Sequence, residues 1–548
     1  MSSRVLDRVA LALSVLPGAV LWGSDRGAAL QMSGDLPRWA TFRDALLVGP
    51  DAGAWASSAN ALFLGRYEDL DAHRLPVLPR LIALVMNFQP DVALAGHLLN
   101  HLLHLALGPV VFLLGRRWMG AGAALGASLV ACTFQPTVFA ADRYGVDPLV
   151  TLLLPLALLA ADVAAERPKW SPLLGIVVGI ASSAHLTTIG IGVPALTLTF
   201  LSAGREGWGF DGRRRAQAAV GLLLGTLLGV FLVFWRYPVL PWGLFTGSLA
   251  EGVAPGAGMA NQAQLAETSS TAAQVVRGGL PGAASAAIGW LLETIWPARL
   301  PWLFALLLPW LGVLGLGLDD AERMPRGSGA LAGLRVGIPL LGALVPLVAF
   351  ASAGSPLRYS ANYQALGCLL VFRGLASCFT MVRVLIVDGP RRSPPLARVV
   401  RRVPPELPTL LFAVTVAAMM WDRERVLAPL KMPPSSSEIA DRELGLQLKA
   451  RFPGGGGGFC ARREVMAYAG RVYCPQTLVT PGAGSVAQHL AKECGGTGPI
   501  PFVVTSEPLD HGTAPLAPTI SWVQANVPVA DEFRSSAYTA TIYAIERH

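Results

Sequence analysis

The sequence predicts an α-helical protein that crosses a membrane many times, with a small α/β portion at its C-terminus. Three observations carry this. First, 53% of the 548 residues are hydrophobic and 14% charged, with a mean hydropathy of +0.50; soluble domains carry about 25% charged residues. Second, apolar runs of spanning length recur from Val9 to Met420 and then stop. Third, arginines cluster in alternate loops between those runs, as cytoplasmic loops do. That clustering also rejects nucleic acid as the reason for the net charge of +8.

Taken in order, about eleven spans of roughly twenty residues each are expected. Val9 to Gly23 is the first. Arg4, Asp7 and Arg8 precede it without a clear cleavage site, so it is expected to stay as an anchor. A long loop, 24–90, follows. Val92 to Leu114 ends in Arg116-Arg117, and Ala121 to Ala140 leads into the loop Ala141 to Asp147. Pro148 to Ala164 is the fourth span. Ser171 to Leu201 is too long for one span and carries Ser182-Ser183-Ala184-His185-Leu186-Thr187-Thr188 near its middle, which reads as two short helices and a polar turn. Ala218 to Trp235 follows, then an irregular Gly-, Ala- and Pro-rich loop, 236–299. The remaining spans are Leu300 to Leu318, Val336 to Ala353, Ala361 to Val387 and Leu407 to Met420. With the N-terminus inside, Arg116-Arg117, Arg167 with Lys169, Arg213 to Arg215, Arg323 with Arg335, and Arg391 to Arg402 all fall on the cytoplasmic side.

Residues 1–421 therefore read as a transmembrane domain and 422–548 as an extracytoplasmic one. The tail opens on a Pro-Ser run, carries a glycine linker at Gly454 to Gly458, and has strand-like pieces at Phe502-Val503-Val504 and Thr539 to Tyr543. Cys132, Cys368 and Cys378 lie in apolar runs and read as small buried hydrophobes; Cys460, Cys474 and Cys494 allow at most one internal disulfide in the tail. No C-x-x-C spacing points to a metal. Arg373 falls midway along an apolar span, where a lone charge is costly. It faces a protein-lined cavity, or the helix there is broken or lies off the membrane normal.

Candidate chemistry gathers in the odd-numbered loops, which share the outer face. Asp51 precedes an expected helix, Ala52 to Leu64, and is either its N-cap or a base at the top of the bundle. Asp142 and Asp147 sit at helix–loop junctions, as caps or as site groups. Pro148 after Asp147 favours a helix start. Arg143 and Arg358 could hold a phosphate, because guanidinium offers paired donors at fixed geometry. His97, His101 and His104 are spaced i, i+4, i+7 and share one helix face with Asn100 nearby. Such a face can bind zinc or line a proton path, and more often it is polar packing between membrane helices. His97 is the best site candidate of the three, being nearest the outer surface. His185 reads in the same way.

The run Leu98-Leu99-Asn100-His101-Leu102-Leu103, continuing through Val110 to Arg117, then Gln135-Pro136 and Asp142-Arg143-Tyr144-Gly145-Val146-Asp147-Pro148-Leu149, resembles the core of the GT-C membrane glycosyltransferases. It is most similar to the branch of protein O-mannosyltransferases and lipid A aminoarabinose transferases. Asp51, Gly65 and Arg74-Leu75-Pro76-Val77-Leu78-Pro79 follow that family's first outer loop, and Pro356-Leu357-Arg358-Tyr359 is similar to its Arg-Tyr element near the donor phosphate. The family's loop acid is often followed by a second one; here Ala52 follows.

The resemblance implies a GT-C fold in the bacterial plasma membrane and inverting transfer from a polyprenyl-phosphate sugar to a lipid, glycan or protein acceptor on the outer face. It assigns Asp51 as general base and Arg358, with Tyr359 and Arg143, to the lipid phosphate, with Asp142, Asp147 and His97 beside them. The loop 236–299 would cover the site. It implies no cofactor; some GT-C branches use a divalent metal, for which Asp51 and Asp147 would be the oxygen ligands. Two other readings compete. A transporter or flippase of a lipid-linked or polar solute would place its polar residues near the midplane of two repeats, and no repeat is seen. An inactive scaffold would use the tail to bind partners.

Overall fold

The computed structural model describes residues 3–23, 43–48, 52–65, 75–166, 168–184, 212–235, 311–312, 314–315, 356–388, 394–404, 406–420, 435–453, 457–460, 462–473, 502–507, 523–525 and 527–544. Outside these fall Asp51, His185 and the second half of the 171–201 run, the loop 236–299, nearly all of the span at 300–318, the span at 336–353, Cys474 and Cys494.

The described residues are mostly helical. In chain order they form α1 (Ser3–Leu13), α2 (Leu16–Gly23), a 3-10 turn at Arg43–Ala45, α3 (Ala52–Phe63), α4 (Val77–Met86), α5 (Val92–Trp118), α6 (Ala121–Thr133), α7 (Gln135–Asp142) and α8 (Asp147–Glu166). Then come α9 (Ser171–Ser182), α10 (Gly212–Phe234), α11 (Pro356–Asp388), α12 (Pro394–Arg402), α13 (Leu407–Met420), α14 (Ser436–Arg451) and α15 (Arg463–Tyr468). Among the described residues, three stretches are long and apolar enough to cross a membrane: Val92–Trp118, Ala216–Phe234 and Gln364–Val387. Shorter apolar helices stand beside them, including Ala121–Thr133 and Ser171–Ser182.

α5 is the axis of the bundle, packing against α4, α6 and α8. Its start is fixed by Asp91, whose Oδ1 accepts from the backbone N–H groups of Ala93 (2.9 Å) and Leu94 (3.1 Å). Arg116 and Arg117 close its last turn, where positive charge meets the helix dipole.

Two expected spans are broken. The first divides at Ser14-Val15, because Pro17, four residues after Leu13, has no N–H to give the Leu13 carbonyl and its ring crowds that carbonyl. The third divides at Phe134, which is extended, and restarts as α7 with Pro136 in the first turn. Arg373 does not break its helix. Inside α11 it donates to Ser377 Oγ (2.9 Å) and to the Gly315 carbonyl (3.2 Å), so the charge is held by protein.

α9 and α10 approach with almost no side chain between them. A Cβ added at Gly175, Gly179, Gly225 or Gly229 would fall 2.1–2.6 Å from a backbone oxygen of the facing helix. Small residues four apart on both helices let the main chains touch, which is how helices associate where lipid removes the hydrophobic drive.

The C-terminal part holds a five-stranded mixed sheet in the order β2-β1-β3-β5-β4: β1 (Gly457–Cys460), β2 (Val472–Tyr473), β3 (Phe502–Glu507), β4 (Val529–Arg534) and β5 (Thr539–Ala544). β1 runs parallel to β2 and β3; β5 is antiparallel to β3 and β4. α14 starts with a capping box between Ser435 and Glu438. It packs with α15 on the sheet through Leu444, Leu448, Met466, Val504, Ala540 and Ile542. Asp441 ties the layers together, accepting from Arg462 (2.9 Å) and from the Tyr538 hydroxyl (2.7 Å). Cys460 is a free, buried thiol, and burial pushes its pKa up to about 12.

Candidate functional site

The first turns of α5 carry His97 and His101 one turn apart on the same face. Residues 43–48 lie against that face. Asp44 is 1% exposed, His97 0% and His101 5%. His97 Nε2 is 2.9 Å from the Leu46 carbonyl oxygen, a contact that only an N–H can make, so this nitrogen carries the proton. In the neutral ring Nδ1 is then a lone pair, and it lies 4.0 Å from Asp44 Oδ1. His101 Nε2 is 3.5 Å from the same oxygen. The three ligand-type atoms lie within 4.8 Å of one another, and among the described residues this is the one such group of three.

The loop between α7 and α8 closes over the cluster. The Tyr144 N–H donates to the Val48 carbonyl (2.9 Å), and its hydroxyl reaches the Val92 carbonyl (3.3 Å). Its ring stands edge-on to His97, with centroids 5.8 Å apart. Position 96 must be glycine for this: a Cβ there would lie 2.1 Å from the Tyr144 ring. Asn100 Nδ2 donates to the Arg143 carbonyl at 2.7 Å. Asp142 ends α7 and Asp147 opens α8, both buried. The Arg143 guanidinium lies over the Phe139 ring, 3.8 Å from its centroid.

The C-terminal part covers the same end of α5. Leu47 N–H donates to the Tyr468 hydroxyl (2.5 Å), and Asn60 Nδ2 donates to the Ala467 carbonyl (2.9 Å). Burial raises the Tyr468 phenol well above its ordinary pKa, with the Leu47 N–H pulling the other way, so the hydroxyl is protonated.

His97, Asp142, Arg143 and Asp147 thus share one rim of the bundle. Arg358 and Tyr359 lie in the first turn of α11, and their side chains are outside the described residues. Two turns further on, Gln364 accepts from the Thr137 hydroxyl (3.3 Å), so α11 also starts toward the α7 end. Of the metal pair weighed from sequence, Asp147 is described and Asp51 is not. Sequence reasoning missed Asp44, Tyr144 and Tyr468. The one signal for Asp44 is a carboxylate set directly before the apolar run Ala45-Leu46-Leu47-Val48. Chemically, the rim offers buried imidazole and carboxylate groups and the partly buried Arg143 guanidinium.

No protein-family model matches the chain, and no curated protein does. Solved structures do. ArnT, the aminoarabinose transferase of Cupriavidus metallidurans, bound to undecaprenyl phosphate, aligns over 97% of both chains with a TM-score of 0.52 and 15% identity, and its apo state aligns equally well. The apo oligosaccharyltransferase of Archaeoglobus fulgidus aligns over 91% of this chain and 69% of its own, with a TM-score of 0.50 and 13% identity. These likenesses are of fold and run along nearly all of this chain. The chain has the fold of the GT-C membrane glycosyltransferases.

Proposed function

We propose that the chain is a membrane glycosyltransferase that moves a sugar from a polyprenyl-phosphate-linked donor to an acceptor, with inversion, at the outer face of a bacterial plasma membrane. The observation that carries this is the 97% alignment, over both chains, with a transferase bound to undecaprenyl phosphate. The N-terminus is cytoplasmic in this reading, and residues 422–548 form an extracytoplasmic domain over the site.

Asp51 is the base. As the bond from sugar C1 to the phosphate oxygen breaks, the acceptor hydroxyl or amine attacks C1 and gives its proton to the Asp51 carboxylate. The lipid phosphate leaves with the bonding pair, and Arg358, Tyr359 and Arg143 meet its charge. Asp142, Asp147 and His97 hold the walls of the pocket. The metal-free route is preferred, with Asp51 and Asp147 as the oxygen ligands if a divalent ion takes part.

The test is sugar transfer by membranes supplied with labelled polyprenyl-phosphate sugars and an extract of acceptors. Asp51→Asn is expected to lower transfer by about 100-fold or more while inserting normally. Full activity of that variant removes Asp51 as base; absence of label transfer from every donor by the native chain overturns the reading.

A further inference from the structure

We infer that Asp44, His97 and His101 bind one transition-metal cation of the zinc class. Two imidazoles spaced i, i+4 and a carboxylate from a separate segment are a ligand set that borderline-soft cations take, whereas magnesium and calcium prefer oxygen alone.

His97 provides the second observation. The Leu46 carbonyl holds a proton on Nε2, so in the neutral ring Nδ1 turns a lone pair toward the carboxylate of Asp44. Nδ1 is buried and makes no hydrogen bond among the described residues. A buried lone pair facing a carboxylate is unfavourable, and simple polar packing would have paired it. A cation between the two gives that lone pair a partner. A carbonyl holding the far N–H of a metal-bound imidazole is also the usual outer-shell arrangement.

Ligand atoms around tetrahedral zinc lie about 3.4 Å apart, given bonds of roughly 2.0–2.2 Å. The present separations are 3.5 Å for His101 to Asp44 and 4.0 Å for His97 to Asp44, with none beyond 4.8 Å. Rotating two side chains by about 1 Å closes the set. The second Asp44 oxygen or a water completes the shell. The ion fastens residues 43–48 to α5 and, through the Leu47–Tyr468 bond, to the C-terminal part. This inference does not depend on glycosyl transfer.

The test uses the full chain, purified without a histidine tag, with metal measured by mass spectrometry and by visible absorption after cobalt replaces zinc. About one zinc per chain is expected. A chelator should lower the Tm, and zinc but not magnesium should restore it. Asp44→Asn, close in shape, should weaken binding by at least about tenfold. Folded native chain that holds no zinc and shows no cobalt band overturns the inference, as does Asp44→Asn binding as tightly as the native chain. If Asp44→Asn fails to fold, the cobalt spectrum of the native chain decides.

Discussion

The two ends of α5 treat charge in opposite ways. At the Arg116 end, the guanidinium meets Asp7 at 2.8 Å with both side chains about one-third exposed (34% and 37%). Glu406 accepts from the Gly122 N–H at 3.0 Å and so covers the start of α6. Each contact there closes a helix end beside water. At the His97 end, two imidazoles and a carboxylate are withdrawn from solvent and surrounded by the 43–48 segment, the α7–α8 loop and Tyr468. Exposed pairs contribute little stability, whereas buried ionisable groups cost stability unless something compensates them. The contrast is one of placement: the ion pair at one end sits beside solvent, and the ionisable groups at the other are withdrawn from it.

The comparison is broken most strongly at position 96. Gly96→Leu drives a side chain into the Tyr144 ring and should cost about 3 kcal/mol, the upper range for overpacking. Thermal unfolding of the full chain in detergent reads it, and an unchanged Tm would mean the α7–α8 loop is not clamped as described. Tyr468→Phe is milder. It leaves the Leu47 N–H buried without its acceptor, at about 1–3 kcal/mol. Hydrogen exchange at residues 43–48 should quicken in this variant while α10 keeps its protection. Unaltered exchange would show that the C-terminal part does not hold the segment. The smallest effect sharpens the contrast from the other side. Asp7→Asn removes a partly exposed pair worth about 0–1 kcal/mol, a difference that high salt should erase. A loss comparable to that of Gly96→Leu would abolish the distinction between the two ends.

Hydropathy made most described helices legible. Leu407 to Met420 is expected and found over the same residues, and Val92 to Leu114 extends only to Trp118. It did not show the breaks at Ser14-Val15 and Phe134, because an apolar run reads the same whether straight or interrupted. Pro17 and Pro136 were the available signals. For the site, the histidine face was visible because helical spacing is local. Asp44 was not, since no spacing rule connects it to His97 across 53 positions of loop and helix. Tyr468 is farther still, meeting a residue 421 positions away. Helices are written in short-range periodicity, and the junction that joins first loop to last domain is purely tertiary.

The bare contact of α9 with α10 has a mechanical consequence. With main chain on main chain at the glycines and only Leu174, Val178 and Leu222 clustered beside them, few rotamers can shear, so the hairpin behaves as one stiff strut. Leu223, Leu224, Leu227 and Phe231 face outward from it, each more than half exposed. A bilayer that thickens or thins must lean the whole strut, since it cannot slide one rod along the other.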